Sequence, residues 1–219
     1  MSSETEWHKR WQHENIGWHR TEPNEHLLAH SNQISFDKKP KILVPLCGKS
    51  QDLLWLAQRG AIVIGIELVE KAIIDFFQEW GVDAKRIDKH GCPCYQFDSI
   101  TIFCGNFFDL SAEQIGTFDV IYDRASLVAL PPSQRERYIA HQLHFLKPTG
   151  LLLLISFDLP VPETKGPPYP VRKSTIPMLY RNTSKTVMLG EHKSTPKTDQ
   201  KLKQRGLSWS RTAIWRIER

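Results

Sequence analysis

The sequence predicts an α/β fold: a mostly parallel sheet with helices on both faces, in one domain spanning 1–219. Three observations predict it. From Lys41 to Phe157, apolar runs alternate with helical patterns, the rhythm of strand–helix–strand crossovers. The first run ends in a glycine turn that opens a helix directly, and the second ends in Glu67. No repeat and no second core interrupts the pattern.

Each element follows from its residues. Lys41–Leu46 (KILVPL) is a buried strand. Ser50 caps a helix carrying Leu53, Leu54, Leu56 and Ala57, which Gly60 stops. Ala61–Glu67 (AIVIGIE) is a second strand rich in β-branched residues. The next helix places Ala72, Ile73, Phe76, Phe77 and Trp80 on one face and ends at Gly81. Tyr95–Phe97 and Ile100–Cys104 form a hairpin around Asp98-Ser99, and Phe118–Tyr122 is a short strand. Ser133 and Glu136 read as a capping box opening a helix to about Leu146. Lys147–Gly150 reads as a turn before a buried strand, Leu151–Phe157. Five prolines in 158–170 exclude a helix there. Beyond them, Arg181–Leu189 holds one short strand and Leu207–Ile217 a final one.

Composition narrows the function. At 40% hydrophobic residues the chain is globular. The longest apolar run, Leu151–Ile155, is far short of the roughly 20 residues of a spanning helix, so no membrane partner is expected. The first thirty residues hold Glu4, Glu6, Glu14, Glu22 and three tryptophans, unlike a secretory signal. Four cysteines in 219 residues make no disulfide framework, which points to a cytoplasmic protein. The net charge of +5 is uneven: 172–205 carries nine Lys/Arg against Glu191 and Asp199, a balance of +7, and the rest sums to 20 − 22 = −2. A nucleic-acid footprint would spread over the main domain, so the basic stretch reads as a solvated face or loop.

An open α/β sheet binds its ligand beyond the carboxyl ends of its strands. Here that place holds Pro45-Leu46-Cys47-Gly48-Lys49-Ser50, with Glu67 nineteen residues after Gly48, where a carboxylate can accept both hydroxyls of an adenosine ribose. A P-loop is excluded because Leu43 stands where its first glycine belongs. A dinucleotide site needs three glycines and finds only Gly48. S-adenosylmethionine has ribose and adenine but no phosphate, and leads on that ground.

Pro45–Asp52 (PLCGKSQD), Gly65–Ala72 (GIELVEKA), Tyr122–Ala125 (YDRA) with Val128–Pro131, and Gly166–Tyr169 (GPPY) together resemble the thiopurine S-methyltransferases, as do Trp7, Trp11 and Gly17-Trp18-His19. The resemblance covers 6–170 and 201–217; 172–200 departs from it, with Pro177 where the family has a helix. It implies a Rossmann-like class I methyltransferase sheet of seven strands, the last antiparallel. Residues 1–35 then form a helical cover over the site, and 158–205 an irregular basic insert. It implies methyl transfer from S-adenosylmethionine, leaving S-adenosylhomocysteine, to the sulfur of thiopurines or aromatic thiols, extending to selenium and tellurium compounds.

By that resemblance Trp11, Leu46, Gly48, Glu67, Asn106, Phe107 and Arg124 are cofactor-binding residues, Trp18 flanks the acceptor, and Arg124 also binds it and serves catalysis. Trp11 has a second reading, since with Trp7 at i,i+4 it can anchor the N-terminal helix. Arg124 likewise can pair with Asp123 or another acid. Asp109 reads as a turn residue. His90, Cys92, Cys94, Cys104 and Cys47 lack metal-ligand spacing, so no metal is expected. His26 and His30 share a helix face and read as surface. No G-x-S-x-G elbow supports a hydrolase. Two alternatives stand beside the thiol methyltransferase: a nucleic-acid methyltransferase using the basic stretch, and a binding protein that has lost catalysis. The expected partner is a small-molecule thiol bound by a monomer, with no nucleic acid.

Overall fold

The computed structural model describes residues 4–219; the first three residues of the 1–35 segment lie outside them. Two short helices come first, α1 (Glu4–Gln12) and α2 (Glu25–Ala29). The central α/β unit follows: β1 (Lys41–Pro45), α3 (Gln51–Gln58), β2 (Ile62–Glu67) and α4 (Glu70–Trp80). Then come β3 (Lys85–Lys89), β4 (Cys92–Phe97), β5 (Ile100–Cys104), α5 (Ala112–Ile115) and β6 (Phe118–Arg124). The last third holds α6 (Pro132–His144), β7 (Leu146–Asp158), α7 (Ile176–Leu179), β8 (Lys185–Ser194), α8 (Gln200–Gln204) and β9 (Ser210–Glu218).

All nine strands join one sheet in the order β3-β4-β5-β2-β1-β6-β7-β9-β8. Strands β5, β2, β1, β6 and β7 run parallel. The β3–β4–β5 end and the β7–β9–β8 end are antiparallel. The chain leaves β1 toward β2 on one side and returns as β6 on the other, so the carboxyl edge of β1 is where a ligand crevice opens.

Strand alternation splits the core between two faces. Ile42, Val44, Val63, Tyr122, Leu151 and Leu153 pack with Leu53 and Leu56 of α3 and with Ile73, Phe76 and Phe77 of α4. Leu43, Ile64, Ile66, Ile121, Leu152 and Leu154 pack on the other face with Tyr138 and Ile139 of α6. Ser50 caps α3, its side chain accepting from Asp52 N, and Gly81 closes α4 at φ 76°.

Gly65 lies mid-strand where three side chains converge. A Cβ there would sit 2.8 Å from Cys47 Sγ, 3.1 Å from Leu53 Cδ2 and 3.2 Å from Ile102 Cγ1. Gly65→Ala is therefore expected to destabilise by about 1–3 kcal/mol through overpacking, read as a lowered Tm.

Four expectations are corrected. The sheet has nine strands, not seven; β3 (KRIDK) offers a single apolar side chain, Ile87, to the core and otherwise relies on pairing with β4, as a charged edge strand does. The Ser133–Glu136 capping box does not form: Pro131 is the N-cap with no side-chain bond, Pro132 starts the helix, and Glu136 pairs with Arg181 at 3.3 Å. Lys147–Gly150 is not a separate turn but an irregularity within β7, where the register against β6 jumps between Phe118 and Val120. The 158–205 region is not wholly irregular. Its proline-rich part is a loop tied down by Arg135 to the Tyr169 and Pro170 carbonyls, and it then builds α7, the ten-residue β8 and α8.

Candidate active site

The parallel strands deliver their carboxyl ends to one edge, and the backbone there is unusual. Leu46, directly after β1, has φ 48°, Gly48 has φ 53°, and Ala125, directly after β6, has φ 66°. Left-handed backbone at non-glycine residues is held only where surrounding structure enforces it, and it gathers at sites. Here Cys47 N donates to the Ile66 carbonyl at 3.0 Å and Ser126 Oγ to the Pro45 carbonyl at 2.7 Å, stitching the β1 turn to both neighbours.

Glu67, the last residue of β2, turns its buried carboxylate into this turn. Oε2 accepts from Gly48 N at 2.8 Å and Oε1 from Val69 N at 2.8 Å. Burial pushes its pKa up, while the amides of Val69, Gly48 and Leu68 work to lower it. Each oxygen keeps a further lone pair for a donor.

Trp11 of α1 closes the turn from above, 3% exposed, with Cζ2 only 3.2 Å from where a Gly48 Cβ would lie. Gly48→Ala is expected to cost about 1–2 kcal/mol from the left-handed backbone alone, measured by thermal unfolding. Trp11 packs on Val69 and Ala72, and Trp18 meets both Trp11 and Trp7 edge-on, with centroids 6.2 and 5.5 Å apart. His19 follows, its Nε2 3.9 Å from Glu79 Oε2, while Lys49 Nζ donates to Glu79 Oε1 at 2.6 Å. Burial first, then the charge of Lys49, pushes the His19 imidazole below its ordinary value; Glu79 pulls it up and Arg124 pushes it further down.

Arg124 ends β6 beside the Gly48 turn. Its side chain is 14% exposed, and its Nε lies 3.6 Å from Asp52 Oδ2. Asp52, buried in the first turn of α3, also accepts from Asn24 N at 2.6 Å and from the Tyr122 hydroxyl at 3.0 Å. Asp123 faces the opposite way, accepting from Tyr138 and Gln142 in the core, so it is not the acid beside Arg124.

This edge fits a nucleoside: a buried carboxylate with free lone pairs beside a glycine turn whose Cβ position is closed by an indole. A family model described as Thiopurine S-methyltransferase (TPMT) matches residues 2–219. The chain belongs to the thiopurine S-methyltransferase family. A protein of Pseudomonas aeruginosa (strain UCBPP-PA14) named thiopurine S-methyltransferase is 38% identical over 213 residues, 97% of each chain. One of Legionella pneumophila subsp. pneumophila with the same name is 36% identical over 97% of this chain and 96% of its own. Among solved structures, the Burkholderia thailandensis 1,6-didemethyltoxoflavin-N1-methyltransferase shares the fold at a TM-score of 0.64 and 15% identity, covering 98% of this chain and 86% of that one. A SAM-dependent methyltransferase from Anabaena variabilis matches at 0.64 and 13% identity, covering 99% and 95%. As a thiopurine S-methyltransferase family member, this chain is an S-adenosylmethionine-dependent methyltransferase.

The structure brings together Trp11, Leu46, Gly48, Glu67, Trp18 and Arg124 of this thiopurine S-methyltransferase family member around one edge. Asn106 and Phe107 stand after β5, the strand next to β2. Asn106 caps a short helical turn through Phe108 N at 3.0 Å and donates Nδ2 to Glu4 at 2.7 Å, bringing the α1 start to the same edge. The Phe107 ring is taken up by the core, packed on Tyr138, His141 and Phe145. A part for Phe107 in the site is therefore left to its backbone. Asp109 lies in the same turn.

Reasoning from sequence missed Asp52, Tyr122 and His19 as members. Asp52 carried one signal, its place two residues after the capping Ser50. Burial first, and then Glu67, pushes the Cys47 thiol well up, which makes it a packing group rather than a nucleophile. Among the described residues, no group of three or more His, Cys, Asp or Glu side chains is arranged to hold a metal, and no helix is long and apolar enough to cross a membrane.

Proposed function

We propose that this chain methylates the sulfur of thiopurines or other aromatic thiols, with reach to selenium and tellurium compounds. The observation that carries this reading is the Glu67 carboxylate bonded to Gly48 N. S-adenosylmethionine, when bound, supplies a methyl group on a cationic sulfur, open to in-line displacement by the acceptor sulfur. Glu67 holds the ribose hydroxyls through its remaining lone pairs. Leu46 and the Gly48 backbone make room beside the turn, Asn106 and the Phe107 backbone border the adenine, and Trp11 closes the pocket. The Trp11 indole face can favour the sulfonium by about 0.5–2 kcal/mol.

Trp18 flanks the acceptor ring, and Arg124 is the catalytic residue. Its permanent charge lowers the acceptor thiol's pKa and steadies the thiolate. A thiolate needs no strong base to react with an activated methyl carbon. Orientation of the two partners supplies most of the rate, on the order of 7–11 kcal/mol.

The chain works as one domain over 1–219, with 4–35 as the cover, as a cytoplasmic monomer acting on a small molecule and not on nucleic acid. The placement of the basic stretch supports that last point: its strand β8 is the edge of the sheet, three strands away from β6, whose end carries Arg124. A screen of thiopurines, thiophenols, and selenium and tellurium oxyanions with labelled methyl donor tests the proposal. Label is expected on at least one aromatic thiol. Donor binding without label on any acceptor supports the impaired binding protein instead, and label on RNA with steep salt dependence supports the nucleic-acid enzyme.

A further inference from the structure

One buried carboxylate at this edge has no part in the scheme above. Asp52 sits on the first turn of α3, where the helix N-terminus favours a negative charge. It is 1% exposed, yet three groups from two elements converge on it. Asn24 N reaches Oδ1 at 2.6 Å from the segment that opens α2, and the Tyr122 hydroxyl reaches Oδ2 at 3.0 Å from mid-β6. Arg124 Nε stands 3.6 Å from that same Oδ2 at the end of β6. Burial first, and the Asp52 charge next, pushes the Tyr122 phenol well up, so Tyr122 stays a donor to the carboxylate.

This arrangement has a directional consequence. An ion pair with one carboxylate on the Nε side still leaves outer guanidinium N–H groups free for a second partner. Without Asp52, a guanidinium on a flexible stem would sample many rotamers. The same carboxylate pins Asn24, five residues beyond His19 and six beyond Trp18. The N-terminal cover and the arginine thus share one anchor.

We infer that Asp52 is a positioning residue: it aims the Arg124 guanidinium at the acceptor sulfur and latches the N-terminal cover to the same point, so that a seated cover and an aimed arginine come together. The inference rests on the acceptor role given to Arg124 above.

Asp52→Asn keeps an acceptor for Asn24 N and a partner for Tyr122 while removing the charge that faces Arg124. With S-adenosylmethionine and 6-mercaptopurine as probes, below the acceptor's own pKa, kcat/KM for the acceptor is expected to fall at least tenfold, while the donor Kd stays within threefold of wild type. The Asp52→Asn/Arg124→Ala double variant is expected to be no more than twofold slower than Arg124→Ala alone, because the two residues act as a unit. The Asn24 N bond loses its charge assistance in Asp52→Asn, so amides over 20–30 are expected to exchange hydrogen at least tenfold faster. If Asp52→Asn does not fold, Asp52→Glu keeps the charge and shifts it by one methylene, and the same loss of kcat/KM is expected.

Wild-type acceptor kinetics in the Asp52 variant beside an impaired Arg124→Ala overturns the aiming, as do effects that multiply in the double variant. Unchanged exchange over 20–30 overturns the latch. An Arg124→Ala chain with wild-type acceptor kinetics overturns the parent role of Arg124 instead, and the aiming falls with it.

Discussion

Glu67→Ala is expected to abolish useful cofactor binding and to loosen the fold at the same point. The side chain has two tasks. Its bonds to Gly48 N and Val69 N tie the β1 turn to the end of β2, and truncation leaves both buried amides unpaired, at about 1–3 kcal/mol each. Its free lone pairs are the proposed acceptors for two ribose hydroxyls, and bonds to a charged group contribute about 1.5–3 kcal/mol each. Losing even half of the larger sum weakens binding about 100-fold. Glu67→Gln separates the tasks. It keeps one carbonyl acceptor but sets an NH2 against a backbone donor, so a smaller loss of Tm and a donor Kd raised about 10- to 100-fold are expected.

The pH dependence carries a definite sign. Burial raises the Glu67 pKa, so the folded state holds its proton to higher pH than the unfolded chain does. Ionising it therefore costs stability as pH rises through that range. Ribose hydroxyls donate to the ionised form and favour it, so donor affinity is expected to weaken as pH falls through the raised pKa. That limb should vanish in Glu67→Gln. Calorimetric titration of S-adenosylmethionine over acid to neutral pH measures it, and an identical acid limb in the Gln variant would assign it to another group.

Arg124→Ala carries the second large effect, on turnover, with a smaller rise in the donor Kd because Arg124 also stands among the cofactor-binding residues. An opposite charge close to a thiol lowers its pKa by about 1–3 units. For an acceptor whose thiol is mostly protonated at pH 7, each unit is a tenfold change in thiolate, so kcat/KM is expected to drop about 10- to 1000-fold. The deficit should shrink as pH rises above the acceptor's own pKa, because solvent then removes the proton unaided. The fold should survive: Asp52 keeps its bonds from Asn24 N and Tyr122, and Arg124 is replaced at a strand end. Wild-type turnover and acceptor affinity in Arg124→Ala would take this residue out of the reaction.

Much of this protein is readable along the chain. The β1–α3–β2–α4 unit follows from continuous apolar strands, Ser50 as cap and Gly81 as stop, all local signals. The Gly48 turn and Glu67 were readable as a pair because they terminate adjacent strands at a fixed spacing. The failures have two origins, a missing local signal and a partner distant in the chain. β3 carries no apolar stripe, and the length of β8 is set by its partner β9, so neither announces itself. Ser133 and Glu136 have capping-box spacing, but Pro132 already starts the helix and an arginine distant in sequence takes the glutamate.

Sequence alone determined the α/β class and the strand ends at which a ligand must sit, because those depend on periodicity, turn chemistry and spacing within short windows; the family came from the resemblance of blocks such as Pro45–Asp52 and Tyr122–Ala125. Tertiary structure alone decided that Phe107 is a core ring, that Asp123 faces away from Arg124, and that Asp52 gathers donors from Asn24, Tyr122 and Arg124. Those partners lie 28 to 72 residues from Asp52 in the chain. Only the packing of helix against sheet brings them within hydrogen-bond and ion-pair reach.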